Sequence, residues 1–220
     1  MSSAELRHFI YTHFFREGHP PSLDAMDARF GDARPLLGRL AEAHAIVLSP
    51  TKNAIDVAHP FSRLPTPFWV ENKHGAWWGN CAWDSLAIAA LTPDDRTTIT
   101  TRSGASGAPI ILEVQGDDVS DPTLIAHFAY PASRWWDDVR QTCATILLFA
   151  NENEIDPWSA RHGIPRGEVV PVATLWKLSK PWYSDRLDAD WRRKSIPEAQ
   201  AILASVGLTG PFWDLSAGWR

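Results

Sequence analysis

FWVENKHGAWWGNCAWDSLAIAAL, residues 68–91, contains the change of texture that decides the fold. Its first half holds two short apolar runs, Phe68 to Val70 and Ala76 to Trp78, which read as strand edges. Its second half, Asp84 to Leu91, reads as a short, very apolar helix stopped by Thr92-Pro93. Downstream, Thr97 to Thr101 and Ile110 to Val114 read as strands joined by the turn Gly104-Ala105-Ser106-Gly107-Ala108-Pro109. Ala144 to Ala150 is a nearly unbroken apolar run whose length suits a buried strand. Asp156 to His162, Val172 to Leu178 and Ile196 to Val206 read as helices, the last opened by Pro197-Glu198. Strands and helices intermix without a βαβ alternation and without an internal repeat. The predicted class is therefore α+β, a mixed or antiparallel sheet with flanking helices.

Upstream, the Pro-rich stretch Leu64-Pro65-Thr66-Pro67 reads as a joint between an N-terminal unit, residues 1–63, and a main domain, residues 64–220. Ala4 to Arg16 carries Leu6, Phe9, Ile10, Phe14 and Phe15 close to helical spacing and ends at Gly18 and Pro20. Ser22 caps a short helix to Phe30, with Gly31 as its stop, and Pro35 to Ala45 is a third helix. Ile46 to Leu48 and Ile55 to Val57 then form a hairpin. Three helices and a hairpin are the order of a winged-helix-like unit, and in some such units the third helix enters a major groove. Here Arg7, Arg16, Arg29, Arg34, Arg39 and Lys52 are matched by Glu5, Glu17, Asp24, Asp27, Asp32, Glu42 and Asp56. The unit is expected to pack on the rest of the protein and not to bind nucleic acid.

Composition narrows the function. With 45% hydrophobic and 21% charged residues, the 220-residue chain is apolar enough for a packed core and too apolar for disorder. Its 21 Lys and Arg against 26 Asp and Glu leave a net charge of -5, which disfavours adhesion to nucleic acid or to an anionic membrane. No stretch reaches the roughly 18 uncharged apolar residues of a membrane helix. Arg7, His8 and His13 break the apolar run of Met1 to Arg16, so no signal peptide is read there. Cys81 and Cys143 are too few for a disulfide framework, and the expected location is a reducing cytoplasm where both stay thiols. Twelve Trp, clustered at Trp77/Trp78/Trp83, at Trp135/Trp136 and from Trp176 to Trp219, supply a wide aromatic core or an apolar pocket; the core is the simpler use.

Several familiar catalytic signatures are absent: no Walker loop, G-x-G-x-x-G, G-x-S-x-G or H-E-x-x-H occurs. The eight His show no spacing that collects three ligands for a zinc site. The doublets Asp94-Asp95, Asp117-Asp118 and Asp137-Asp138 read as solvated loop charge, and the glycines near Ser103 as a hairpin tip. What remains is Cys81-Ala82-Trp83-Asp84 among indoles and aliphatics. A thiol and a carboxyl three residues apart face the same side of a turn, and burial of a carboxyl favours the protonated form that serves as a general acid. The plain alternatives are a buried structural Cys81 and an Asp84 that caps the following helix. Residue spacing leaves both readings open.

The string Ala76 to Leu86, then Ser103-Gly104-Ala105-Ser106-Gly107-Ala108-Pro109, then Asp138-Val139-Arg140-Gln141-Thr142-Cys143 leading to Leu148-Phe149-Ala150, resembles the alkylmercury (organomercurial) lyases. By motif the resemblance covers about residues 65 to 178, and the N-terminal part only by element order. It implies a winged-helix-like unit before an α+β domain and a catalytic set of Cys81, Asp84 and Cys143. It further implies cleavage of a carbon–mercury bond by protonolysis, with hydrocarbon released and Hg(II) held by Cys81 and Cys143. No cofactor is implied; the partners would be a small organomercurial, cellular thiols that remove the product, and a mercuric reductase that receives it. A thiol-based site suits the metal, because mercury is soft and prefers sulfur. Trp78 and Trp83 are candidate walls for the organic group. Two departures stand out: Ser103 occupies a position where family members often have a structural cysteine, and Asn80 stands where an aromatic precedes the first thiol. The tail from Trp182 to Arg220 is longer than the family's usual end and is expected chiefly to pack, with a cap over the site or a dimer contact as alternatives. Alternative functions are a relative acting on another carbon–heteroatom or organometalloid substrate, and a cysteine pair that binds or senses a soft metal.

Overall fold

The computed structural model describes residues 2–216 and 218. Three helices come first, α1 (Ser3–Glu17), α2 (Leu23–Phe30) and α3 (Arg34–Glu42). Five strands follow, β1 (Val47–Leu48), β2 (Ile55–Ala58), β3 (Phe61–Ser62), β4 (Phe68–Asn72) and β5 (Gly75–Gly79), then α4 (Ala82–Ala89). Next come β6 (Thr97–Arg102), β7 (Pro109–Gln115), β8 (Asp118–Val119), β9 (Ile125–Phe128), α5 (Val139–Thr145) and β10 (Leu148–Phe149). The chain finishes with α6 (Ile155–His162), β11 (Glu168–Pro171), α7 (Val172–Tyr183) and α8 (Ile196–Ser205). Eight strands form one sheet in the order β1-β2-β3-β5-β4-β6-β7-β8, and β10-β9-β11 form a second. Every pairing is antiparallel. This is the α+β class that the interleaved pattern predicts.

The first helices begin and end where their caps say. Ser2 and Glu5 close a capping box on α1, Gly18 ends it at φ 75°, and the Ser22 hydroxyl accepts the Ala25 N–H at 3.1 Å. The third helix stops at Glu42, three residues short of the expected Ala45. His44 takes φ 56° and the Ala45 N–H donates back to Leu40 O at 2.9 Å, a closure that periodicity does not reveal. The hairpin β1–β2 continues through β3 into the large sheet, so residues on both sides of the Pro-rich stretch share one sheet. Buried Trp77 fastens α1 to that sheet: its ring stacks on Phe15 at 5.2 Å and its indole N–H donates to Phe14 O and Phe15 O.

Two further expectations are corrected. Ala144 to Ala150 is not one strand; α5 runs to Thr145 and only Leu148–Phe149 is extended. The Asp138 carboxylate accepts the Gln141 N–H at 3.0 Å and starts the helix, and such a cap sets helix register whatever the apolar run behind it suggests. The helix expected to end at Leu178 continues to Tyr183 through Pro181. An interior Pro costs about 3 kcal/mol, and the extra turn persists because it buries Trp182 and Tyr183.

The α5 helix is tied to the sheet by one buried carboxylate. Asp56 on β2 accepts Arg63 at 2.6 Å and Arg140 of α5 at 2.8 Å, while Arg140 also donates to Leu48 O at 2.8 Å. Burial alone raises the Asp56 carboxyl, but the two guanidiniums outweigh it and hold it below the ordinary carboxylate value. A depressed folded-state pKa contributes stability above the unfolded value near 4, lost as pH falls through the folded value. Asp56→Asn is therefore expected to destabilise by about 1–3 kcal/mol at neutral pH, with the gap to the unmutated protein closing below about pH 4; urea titrations across pH check both.

Candidate active site

Gly79 and Cys81 set the geometry of the chain where β5 gives way to α4. A Cβ on Gly79 would lie 2.9 Å from the Ser85 Cα and 3.0 Å from the Ser85 N, so strand end and helix touch backbone to backbone. Cys81 is the N-cap: its sulfur accepts the Asp84 N–H at 3.4 Å. Asp84, for which the sequence leaves a capping role open as the plain alternative, is in the first helical turn. Because the thiol does the capping, the Asp84 carboxyl points away from its own backbone into the protein.

Four side chains from separate elements meet that carboxyl. Oδ2 accepts from the Cys81 thiol at 3.4 Å and from the Cys143 thiol of α5 at 4.0 Å, and lies 3.1 Å from His59 Nδ1 in the β2–β3 turn. Oδ1 accepts the Tyr183 hydroxyl of α7 at 3.2 Å. The Ala82 N–H donates to Ile146 O at 2.9 Å, a backbone bond that aligns the two thiol-bearing segments. All five side chains are buried, Asp84 to 2% exposure. Both cysteines are free. Burial pushes the Cys81 thiol well up, with the Cys143 hydrogen bond and the Asp84 charge adding, so Cys81 is protonated at neutral pH. Burial next to Asp84 also raises the Tyr183 phenol well up and keeps it a hydrogen-bond donor.

The cluster forms the floor of a cleft of about 790 Å³, part of it open to solvent. Trp83, Trp135, Trp136, Trp182 and Trp191 wall it, with Val139 and Ile146. Trp83 lies 5.3 Å from Trp135, 5.2 Å from Trp182 and 5.7 Å from Tyr183, ring centre to ring centre. Trp78, the other candidate wall, packs on Trp69 at 4.6 Å outside the cleft. Asn80 does not line the cleft. Neither does Ser103, whose hydroxyl binds Glu154 at 3.2 Å and the N–H groups of Ala105 and Ser106 at 3.3 Å. The tail does more than pack, since Arg186, Trp191, Arg193 and Lys194 line the rim. Among the described residues, His59, Asp84 and Cys143 also bring one nitrogen, one oxygen and one sulfur within 4.8 Å of each other. Sequence reasoning brings forward Cys81, Asp84 and Cys143, which the fold unites; it misses His59 and Tyr183, whose roles come from contacts across the fold.

The family model for alkylmercury lyase, MerB, matches residues 61–184, more than half of the chain. The chain belongs to the alkylmercury lyase family. Membership makes it a carbon–mercury lyase, and the matched segment contains Cys81, Asp84, Cys143 and Tyr183. The fold is also similar to a crystal structure of the mercury-bound form of MerB2, with TM-score 0.65 and 19% identity over 84% of this chain and 91% of that one. No curated protein matches the chain. Among the described residues no helix is long and apolar enough to cross a membrane.

In this alkylmercury lyase, the Tyr183 hydroxyl is one of the donors that compensate a buried carboxyl. Tyr183→Phe is expected to lower stability by about 1–3 kcal/mol, the cost of leaving a buried acceptor short of a partner; a shift of the urea midpoint at unchanged slope checks it.

Proposed function

We propose that the protein cleaves organomercurials by protonolysis, with Cys81, Asp84 and Cys143 as the catalytic residues. The observation that supports this reading is the shared oxygen: Asp84 Oδ2 accepts both thiols, at 3.4 and 4.0 Å. Any proton that leaves a thiol on binding mercury therefore has an acceptor already in contact.

The first thiol displaces the ligand X of R–Hg–X: an S–Hg bond forms, the Hg–X bond breaks with its electrons going to X, and the proton of that thiol leaves with X as H–X. The second sulfur adds to the same mercury and gives its proton to Asp84. Electron density from two thiolates weakens the Hg–C bond and makes its carbon basic. Asp84 then delivers the proton to that carbon; a C–H bond forms with the electrons of the Hg–C bond, R–H departs, and Hg(II) stays on Cys81 and Cys143. External thiols exchange the product off the protein. The soft-metal preference for sulfur explains why two thiols, and not a histidine cluster, form the floor. The aromatic walls receive R and keep water from the carbon. His59 and Tyr183 act as positioning residues, because each holds one oxygen of Asp84. The tail caps the site, and a reducing cytoplasm, which keeps both sulfurs as thiols, is the compartment in which this chemistry operates, with a mercuric reductase as the receiver of the ion.

Asp84→Asn separates chemistry from binding. The variant is expected to retain mercury stoichiometrically and to lose hydrocarbon release by about 10²–10⁴-fold, the usual contribution of a positioned proton donor. Gas chromatography of benzene from phenylmercury, run beside mercury uptake, reads both. Equal benzene from the variant and the unmutated protein contradicts the assignment of Asp84, and uptake without benzene from either leaves a thiol pair that only binds the metal.

A further inference from the structure

The floor of the cleft is accounted for by the lyase reading; its rim is not. Part of the rim is built by residues beyond 184, outside the segment that matches the family. Arg186, Arg193 and Lys194 line it, and Asp84 is the one carboxylate among the lining residues. Lys194 is paired with Asp185 at 3.0 Å. Arg186 forms no ion pair among the described residues, and its buried Nε has no hydrogen-bond partner. Its guanidinium instead lies on rings, 4.5 Å from the centre of Trp191 and 5.0 Å from that of Tyr183.

Like charges crowd this place. Arg7 stacks on the same Trp191 ring at 4.0 Å and donates only to carbonyls, those of Arg186 and Asp188. Burial, with the Arg186 charge adding, holds the Arg193 guanidinium below its ordinary value, and burial chiefly brings Arg7 down to about 10. Asp185 and Asp188 attract Arg7, but Arg186 has no ion pair among the described residues; a half-buried cation held among cationic neighbours in this way is costly, and a ligand anion relieves that cost. Aromatic walls on both sides select a flat group to carry it.

The spacing follows from Tyr183. Its hydroxyl touches Asp84 and its ring lies under Arg186, so about one aromatic side chain separates the reacting centre from the cation. We propose that the cleft prefers arylmercurials bearing a carboxylate on the ring, with mercury at the thiols and the carboxylate received by Arg186. This rests on the lyase reading and adds to it the chemical class of the organic group.

The test compares kcat/KM for 4-mercuribenzoate and phenylmercury side by side, with 2-mercaptoethanol as a neutral thiol. The expected ratio favours the carboxylate by about tenfold or more, the scale of one charge-assisted contact. It falls toward one in Arg186→Gln, mainly through KM, and is partly kept in Arg186→Lys. A ratio near one in the unmutated protein, or one that Arg186→Gln leaves in place, overturns the proposal. So does a preference that appears only when glutathione replaces the neutral thiol, since the carboxylate then sits on the sulfur ligand. A mercury-free arm titrates benzoate and benzyl alcohol against tryptophan fluorescence at low and high salt. Benzoate is expected to bind more tightly, to weaken with salt and to weaken in Arg186→Gln; equal binding of the two overturns the anion site even if Arg186→Gln fails to fold. Benzoate binding without hydrocarbon from either arylmercurial overturns the lyase reading, and with it the substrate, while an aromatic carboxylate site stands.

Discussion

The buried carboxyl of Asp84 is the constraint around which this molecule is arranged. A carboxyl at 2% exposure is tolerated only if the fold brings it partners. Those partners come from the N-cap of α4, from α5, from α7 and from the β2–β3 turn. These elements are secured from outside the cluster: Trp77 binds α1 to β5, the Ala82–Ile146 bond joins α4 to the end of α5, Asp56 clamps Arg140 of α5 to β2, and Lys180 of α7 donates to Gly116 O after β7 at 3.0 Å. The same arrangement that satisfies the carboxyl places two thiols on one of its oxygens. Structural need and the proposed chemistry thus coincide in one side chain.

The aromatic content reads differently once the fold is known. A wide core and an apolar pocket are not alternatives here, because Trp83 belongs to both: it packs on Phe128 and Trp135 and also faces the cleft. Indoles suit such a double duty, since a large rigid ring buries much area at small entropic cost and still presents a flat face. The Pro181 turn extends the wall by adding Trp182 and Tyr183, and the tail behind it adds Trp191 and the cationic rim.

How much of this was legible in the sequence depended on range. Caps and stops are local, so Ser22, Gly18 and Gly31 bound their helices as read. Short apolar or β-rich runs bounded by turn residues made β4, β5, β6 and β7 visible, and two lone cysteines with a nearby aspartate marked the candidate site. The reading failed where distant contacts override local preference. Asp138 nucleates α5 inside what looks like the approach to a strand, and Pro181 is carried within a helix because the residues after it are buried. Asp84 looked like a cap, yet Cys81 takes that position. His59 and Tyr183 carry no local signal at all, being separated from Asp84 by 25 and 99 residues.

Solvent isotope in the hydrocarbon tests the central claim most directly. If Asp84 relays an exchangeable thiol proton to the carbon that leaves mercury, phenylmercury turned over in D2O with excess thiol yields benzene carrying one deuterium, seen by headspace mass spectrometry. Benzene without deuterium, or mercury bound with no benzene released, contradicts it.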